Sequence, residues 1–187
     1  MGGKVFVITG ASGSGKTTLA MAALEDPQLS LSKVITCTSR APRGEEKNGV
    51  DYRFFTRPEF EKMAEEGKFF EHAEVYGNYY GSLKEDVNAI LESGKNVLFV
   101  VDVQGAEYIK KRHPKAITIF VKAPSVEEMK RRLEGRRQDS PEKIKERLEQ
   151  AMAEEEKAPL FDHTLMNDVL EDAVEEIKRI IREAMSG

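Results

Sequence analysis

Residues 10–18 read GASGSGKTT, directly after the apolar run KVFVIT and directly before LAMAALE. Gly10, Gly15, Lys16 and Thr17 satisfy G-x-x-x-x-G-K-[ST], and the order strand, glycine-rich loop, helix is the context that gives the pattern meaning. Glycines let the backbone turn tightly enough for its N–H groups to point inward, and the start of the following helix adds a dipole that favours an anion. The stretch predicts a phosphate cradle: Ala11, Ser12, Gly13 and Ser14 fill the loop between its fixed glycines, and Thr18 follows it. Lys16 would reach the β- and γ-phosphates of a nucleoside triphosphate, and Thr17 would offer its hydroxyl to Mg²⁺.

Working outward, VFVI at 5–8, VLFVV at 97–101 and ITIFV at 117–121 are short, nearly continuous apolar runs. Runs of this kind belong to strands buried on both faces, as in a parallel sheet, so an α/β core is expected. LFVVD ends at Asp102, which fits the second element of a nucleotide site, one carboxylate delivered to the C-terminal edge of a strand. The competing reading of Asp102 is a cap for the turn before QGAEYI. Near the C-terminus, Leu170, Ala173, Val174, Ile177, Ile180, Ile181 and Ala184 recur at a spacing of 3 or 4, predicting an amphipathic helix packed on the sheet.

Composition narrows the class. The 187 residues suit one sizeable core. With 29 Lys and Arg against 33 Asp and Glu, the net charge is −4, which argues against a whole-surface nucleic-acid binder. Cys37 stands alone and His72, His113 and His163 are far apart, so neither a disulfide framework nor a zinc spacing is present. No apolar run reaches the roughly 20 residues of a membrane span, and MGGKVF lacks a signal peptide's apolar region; a cytoplasmic protein is expected.

A loop of this type serves motors, GTPases, transporters and kinases, so the acceptor must be read elsewhere. Residues 33–83 hold β-prone pieces (VITCT, DYRFF, FFEHAEV, NYYGS) and a short helix, TRPEFEKMAEE, whose Thr56 and Glu59 suit a capping box. SRAPR places Arg40 and Arg43 on a proline-stiffened segment, and Tyr52 and Tyr80 follow. Two guanidiniums and two phenols, brought together, would bind a monophosphate by charge-assisted hydrogen bonds. Glu71 is the carboxylate of this lobe that could pair with a base edge. Taken singly, each residue also reads as a solvated cation, a sheet-packing phenol or an exposed acid.

Together and in order, GASGSGKTT, TSRAPRGEEKNGVDYRF, EHAEVYGNYYGS, VDVQGA, RRLEGR and a C-terminal ND resemble the guanylate kinase family over nearly the whole chain. The resemblance implies a P-loop nucleoside monophosphate kinase fold: a five-stranded parallel core (about 1–32, 84–124 and 159–187), a GMP-binding lobe (about 33–83) and a lid (about 125–158). It implies that GMP and ATP become GDP and ADP, with ATP as donor, Mg²⁺ assisting and dGMP left open as an acceptor. Arg40, Arg43, Tyr52 and Tyr80 would hold the GMP phosphate. Glu71 would accept from guanine N1–H and N2–H, and Ser82 and Thr36 would donate to O6, with Gly81 and Asp102 beside them. Arg136 and Arg147 would join Lys16, Arg43 and Asp102 at the reacting phosphates, and Asn167 would lie near the adenine.

Arg132 and Arg136 share a helical face, so Arg132 reads either as a further phosphate ligand or as an ordinary solvated charge. No catalytic His is needed, because the attacking phosphate oxygen is already ionised at neutral pH. One position departs from the family pattern: the strand before Asp102 carries Val100 where an acid is usual, so a carboxylate aimed at the site has become apolar. Two other readings stay open, a guanylate-kinase-like interaction domain binding phosphopeptides and a small kinase acting on another phosphorylated acceptor. The intact Gly15, Lys16 and Thr17 count against the first, and Glu71 with Thr36 and Ser82 against the second. Nothing in the sequence separates monomer from homodimer.

Overall fold

The computed structural model describes residues 3–75, 77–135 and 141–187. The first apolar run becomes β1 (Val5–Thr9), and the glycine-rich loop leads into α1 (Lys16–Leu24). A 3₁₀ turn precedes β2 (Leu31–Lys33), after which come β3 (Cys37–Thr38), β4 (Arg53–Phe54) and α2 (Arg57–Glu65). A hairpin of β5 (Phe69–Val75) and β6 (Asn78–Leu83) follows, then α3 (Lys84–Glu92) and β7 (Asn96–Val100). The chain continues with α4 (Val103–Arg112), β8 (Ile117–Lys122), α5 (Val126–Gly135) and α6 (Pro141–Glu155), and ends with β9 (His163–Met166) and α7 (Leu170–Ser186).

Five strands pair in the order β2-β7-β1-β8-β9, and every pair is parallel. Both faces are covered, which is why the strands read as unbroken apolar runs. Phe6, Ile8, Leu98, Ile119 and Val121 meet Leu19 and Ala23 of α1 and Ala173, Ile177 and Ile181 of α7. On the other face Val7, Val97, Phe99 and Phe120 meet Val87 of α3 and Val103, Ala106 and Ile109 of α4. The expected apolar stripe of α7 is therefore in the core, except that Leu170 at its first turn stays 43% exposed. Truncating fully buried Ile177 to Ala is expected to cost about 2–5 kcal/mol. No helix among the described residues is long and apolar enough to cross a membrane.

The β-prone pieces build a second sheet, β4-β3-β6-β5, antiparallel except for β3 beside β4. It begins at Cys37, because Lys33 ends a strand of the main sheet and Val34 is buried in the core. The capping box starts α2 as expected, with Thr56 and Glu59 each bonded to the other's backbone. That helix brings Phe60 onto the sheet, stacked on Phe69 and Tyr79 at 4.3 and 5.2 Å. A register shift between Phe69 and Glu71 re-aims Glu71, which ends directly opposite Ser82. Phe70, stacked on Phe99 and His113, fastens this sheet to the core.

Candidate active site

In an open parallel sheet ligands collect beyond the C-terminal strand ends, where the strand order reverses. β1 and β7 are neighbours there, so the glycine-rich loop and Asp102 emerge side by side. Three clefts open around them. The first, about 420 Å³, lies between Gly10, Ser12, Lys16 and Asp102 on one side, Arg43 and Tyr80 on another, and Lys143, Arg147, Gln150 and Glu154 of α6. The second, about 270 Å³, is walled by Thr17, Thr36, Tyr52, Glu71, Ala73, Val100 and Val101. These two share Lys16, Tyr80 and Asp102. The third, about 360 Å³, is on the other side of the loop, beside Gly13, Gly15, Thr18, Arg132 and Asn167.

The loop owes its shape to backbone conformations that only glycine adopts at low cost: φ is 147° at Gly10, 86° at Gly13 and 90° at Gly15. Gly15 caps α1 without a side-chain hydrogen bond, leaving first-turn N–H groups of that helix for a ligand. Ala11 is buried with Met129 and Ala151, so α5 and α6 rest beneath the loop. Lys16 Nζ donates to the Ala11 carbonyl at 3.4 Å. Ser14 is fully buried and its carbonyl accepts twice, from Asn167 Nδ2 at 2.8 Å and from Arg132 Nη1 at 3.2 Å. A side chain at Gly15 would collide with the Asn167 amide.

Asp102 is the cap that the competing reading expects, and it also stands where a nucleotide-site carboxylate would. Its Oδ1 accepts from Gly105 N at 2.8 Å as the cap of α4, and the residue lines the first two clefts. In the second cleft Glu71 is only 3% exposed, and Ser82 Oγ donates to its Oε1 at 2.8 Å. Burial pushes the Glu71 carboxyl up to about 7, with the Ser82 hydrogen bond opposing the shift and the Asp102 charge adding to it. In the first cleft burial also raises the Glu154 carboxyl, and the Lys16 charge works against that.

The structure brings most of the predicted residues to one place. Thr36, Tyr52, Glu71, Tyr80 and Asp102 share the second cleft, while Arg43, Arg147 and Lys16 share the first. Arg40 is in neither wall but reaches Tyr80, which is in both: its Nη1 donates to the Ala41 carbonyl at 2.7 Å, its Nη2 to Glu46 at 3.0 Å, it hydrogen-bonds the Tyr80 hydroxyl, and its guanidinium lies 5.2 Å from the Tyr52 ring centre. Ser82 is fully buried and its hydroxyl is engaged with Glu71. Gly81 lies behind the cleft, where a Cβ would crowd the Glu71 carbonyl, His72 and Phe60, so its need is for close strand approach. Asn167 lines the third cleft and braces the loop. Arg136 lies outside the described residues.

A model of the guanylate kinase family matches residues 2–184. The chain belongs to the guanylate kinase family. A guanylate kinase of Thermus thermophilus is 47% identical over 181 residues, covering 97% of this chain and 81% of that protein. One of Rubrobacter xylanophilus is 44% identical over 186 residues, covering 99% and 96%. The fold is similar to the crystal structure of guanylate kinase from Anaplasma phagocytophilum, with a TM-score of 0.80 at 31% identity over 97% of this chain and 86% of that one. The guanylate kinase reaction is phosphoryl transfer from ATP to GMP, giving ADP and GDP, and the chain is a kinase of that kind.

Some site residues escape a reading of motifs. Arg132, which the sequence leaves between ligand and solvated charge, is a brace as well as part of the third cleft's wall: Glu128 holds its Nε at 2.7 Å and its Nη2 donates to the Asn167 carbonyl at 3.1 Å. The i,i+4 spacing of Glu128 and Arg132 is the legible signal for that brace. Lys143, Arg147, Gln150 and Glu154 recur at a spacing of 3 or 4 and form one polar stripe on α6 facing the first cleft. Glu46 carries no signal beyond its place between Arg43 and Tyr52.

Proposed function

We propose that the first cleft takes the triphosphate of ATP and the second takes GMP, so that the two phosphates meet at Lys16, Tyr80 and Asp102. The observation that carries this reading is the shared wall: two clefts of different chemistry join at one lysine, one phenol and one carboxylate. The adenine then belongs in the third cleft beside Asn167, with Gly10 to Thr18 around the phosphates. The core is formed within 1–32, 84–124 and 159–187, joined by Lys33 and Val34, the rest of 33–83 acts as the acceptor lobe, and 125–158 acts as the lid.

Guanine presents two N–H donors beside one carbonyl acceptor, and adenine offers the opposite pattern. Glu71 as a carboxylate accepts from N1–H and N2–H. Thr36 donates to O6, and Ser82 joins it by turning its hydroxyl from Glu71, whose acceptor capacity the guanine then fills. Adenine would give that buried carboxylate no donor in place of the two that guanine supplies. Arg40, Arg43, Tyr52 and Tyr80 hold the acceptor phosphate, and Gly81 keeps the two strands close enough to set Glu71.

In the transfer, an acceptor phosphate oxygen attacks the γ-phosphorus, the bond from that phosphorus to the β,γ-bridging oxygen breaks, and ADP departs with the electron pair. The nucleophile is already anionic, so no residue has to remove a proton. The chain supplies charge and alignment: Lys16, Arg43 and Arg147, with Arg136 by resemblance, offset the negative charge gathering between the nucleotides. Thr17 and Asp102 offer the hard oxygen donors that Mg²⁺ takes, and among the described residues no group of three or more His, Cys, Asp or Glu could hold a metal unaided. A set this sparse fits an ion bound chiefly through phosphate and water oxygens. When bound, the ion neutralises phosphate charge. The reading carries a cytoplasmic location.

A coupled assay of ADP release across GMP, dGMP, AMP, CMP and UMP tests it. GMP is expected to be the preferred acceptor by at least about a hundredfold over AMP. Equal use of AMP and GMP overturns the base assignment, and no ADP release with any acceptor overturns the whole.

A further inference from the structure

Glu46 is tied at both ends of its carboxylate to residues of the proposed phosphate basket, yet lines neither cleft. Its Oε1 accepts from Arg40 Nη2 at 3.0 Å and its Oε2 accepts from the Arg43 backbone N–H at 2.8 Å. Its own N–H donates back to the Arg43 carbonyl at 3.1 Å, closing a small ring. Arg40 is 9% exposed and Glu46 24%, so the pair is largely shielded from water. The Arg40 hydrogen bond holds the Glu46 carboxyl below its usual range, with the Arg43 N–H and both guanidinium charges adding to that.

We propose that Glu46 is a positioning residue for the acceptor phosphate: it orients the Arg40 fork and fixes the backbone that carries Arg43. The proposal rests on the assignment of Arg40 and Arg43 to GMP made above. The fork has five N–H donors: Ala41 and Glu46 take bonds from Nη1 and Nη2, and the Tyr80 and Tyr52 hydroxyls, assigned with it to the phosphate, also meet it. A guanidinium gripped at Nη1 and Nη2 and set against the Tyr52 ring is held in one orientation, so less order is lost when a phosphate arrives. The same carboxylate serves Arg43, an exposed residue on a segment of turns that includes Gly44 at φ 54° and Gly49 at φ 78°. Elsewhere in that segment Lys47 N is held by Asp51 and Phe54 N by Asn48, but neither bond reaches an arginine.

A rival role is visible on the same contacts: Glu46 could stand in for the phosphate and compete with it for Arg40. A stand-in would line the cleft it vacates, as Tyr52 and Tyr80 do, and would have no use for a second bond to the Arg43 backbone. The two roles differ in sign when the carboxylate is neutralised.

The test is steady-state kinetics of Glu46→Gln and Glu46→Asp beside Arg40→Ala, with thermal midpoints. Glu46→Gln, nearly isosteric, is expected to raise KM for GMP about tenfold, the effect of one lost charge-assisted hydrogen bond, and to leave KM for ATP within about twofold. Glu46→Asp, which keeps the charge, should recover part of the loss, and Glu46→Gln in an Arg40→Ala background should cost much less than alone. A GMP KM that is unchanged or lower in Glu46→Gln overturns the proposal, the latter in favour of competition. Equal losses for both nucleotides, or a variant that no longer folds, make Glu46 structural and also overturn it. If Arg40→Ala leaves KM for GMP unaltered, the basket assignment fails instead.

Discussion

Between Gly10 and Thr18 the groups offered to a ligand belong largely to the backbone; between Thr36 and Ser82 they are side chains from β5 and β6 and from the residues just before β3 and β4. The loop gains its donors from three left-handed glycines and a helix start, and it is braced from behind by Asn167 and Arg132. Backbone amides are alike at every residue, so such a loop recognises charge and little else. The second cleft buries a carboxylate that water would otherwise keep ionised, and this costs free energy until a ligand supplies the right donors. On the proposed reading, one region binds a phosphate and the other decides which nucleotide accepts it.

The largest test of that division is Lys16→Ala, which removes the one long cation shared by both clefts. The turnover rate is expected to fall by about 10²- to 10³-fold with a thermal midpoint near that of the unaltered chain. A fall below tenfold would place the main electrostatic work in Arg43 and Arg147.

Next in size, Glu71→Gln breaks the acceptor side alone. The specificity constant for GMP should drop by about a hundredfold, that for AMP should not, and KM for ATP should hold. In the free protein Glu71 is protonated below about pH 7, so it can accept both guanine donors only above that point. KM for GMP is therefore expected to rise as pH falls below about 7. The variant, measured with the same GMP so that the nucleotide's own titration cancels, should lack that component. The sign for stability is opposite: with its folded pKa above the unfolded value near 4.5, Glu71 costs stability as pH climbs through about 7. The thermal midpoint of Glu71→Gln, compared with the unaltered chain, should thus gain between pH 5 and pH 8. A midpoint difference that stays flat with pH would mean that Glu71 is ionised throughout.

How much of this was legible follows the same division. The loop is nine consecutive residues whose spacing encodes its conformation, and the parallel sheet announces itself in VFVI, VLFVV and ITIFV because both of its faces are covered. The acceptor site is scattered, and only the resemblance gathers Thr36, Glu71 and Tyr80 before the sheet does. Burial of Glu71 follows only from the resemblance, since taken singly it also reads as an exposed strand acid; the sheet sets it opposite Ser82 and buries it. For Arg132 the spacing from Glu128 shows the ion pair but not the reach to the Ser14 and Asn167 carbonyls, and Glu46 shows nothing, because a charged side chain on a helix or a turn looks the same whether it meets water or another segment's backbone.

A smaller effect is expected on the donor side from Arg132→Met, which keeps the apolar stem and removes the bonds to the Ser14 and Asn167 carbonyls. The loop keeps its Asn167 brace, so KM for ATP should rise about fivefold while KM for GMP stays put. An effect on both substrates would mean that α5 transmits its position to the acceptor cleft.

The smallest expected change tests the residue at which the two regions touch. Val100 packs against the core cluster of Phe6 and Ile8 and also lines the acceptor cleft next to Lys16 and Thr17. In Val100→Asp a carboxylate enters that wall, where attraction to Lys16 opposes repulsion from Asp102 and Glu71. A carboxylate about 4 Å from a cation at intermediate dielectric gains up to about 4 kcal/mol, but in a wet cleft the figure is nearer 1. The repulsion takes part of it, and the lost valine packing lowers the thermal midpoint by a few degrees. What remains should raise turnover or tighten GMP binding by about twofold to fivefold, measured at pH 8 so that Glu71 is ionised in both proteins. An equal or slower variant at that pH would mean that the apolar wall suits the reaction, with Asp102 the one carboxylate needed at the junction of the two clefts.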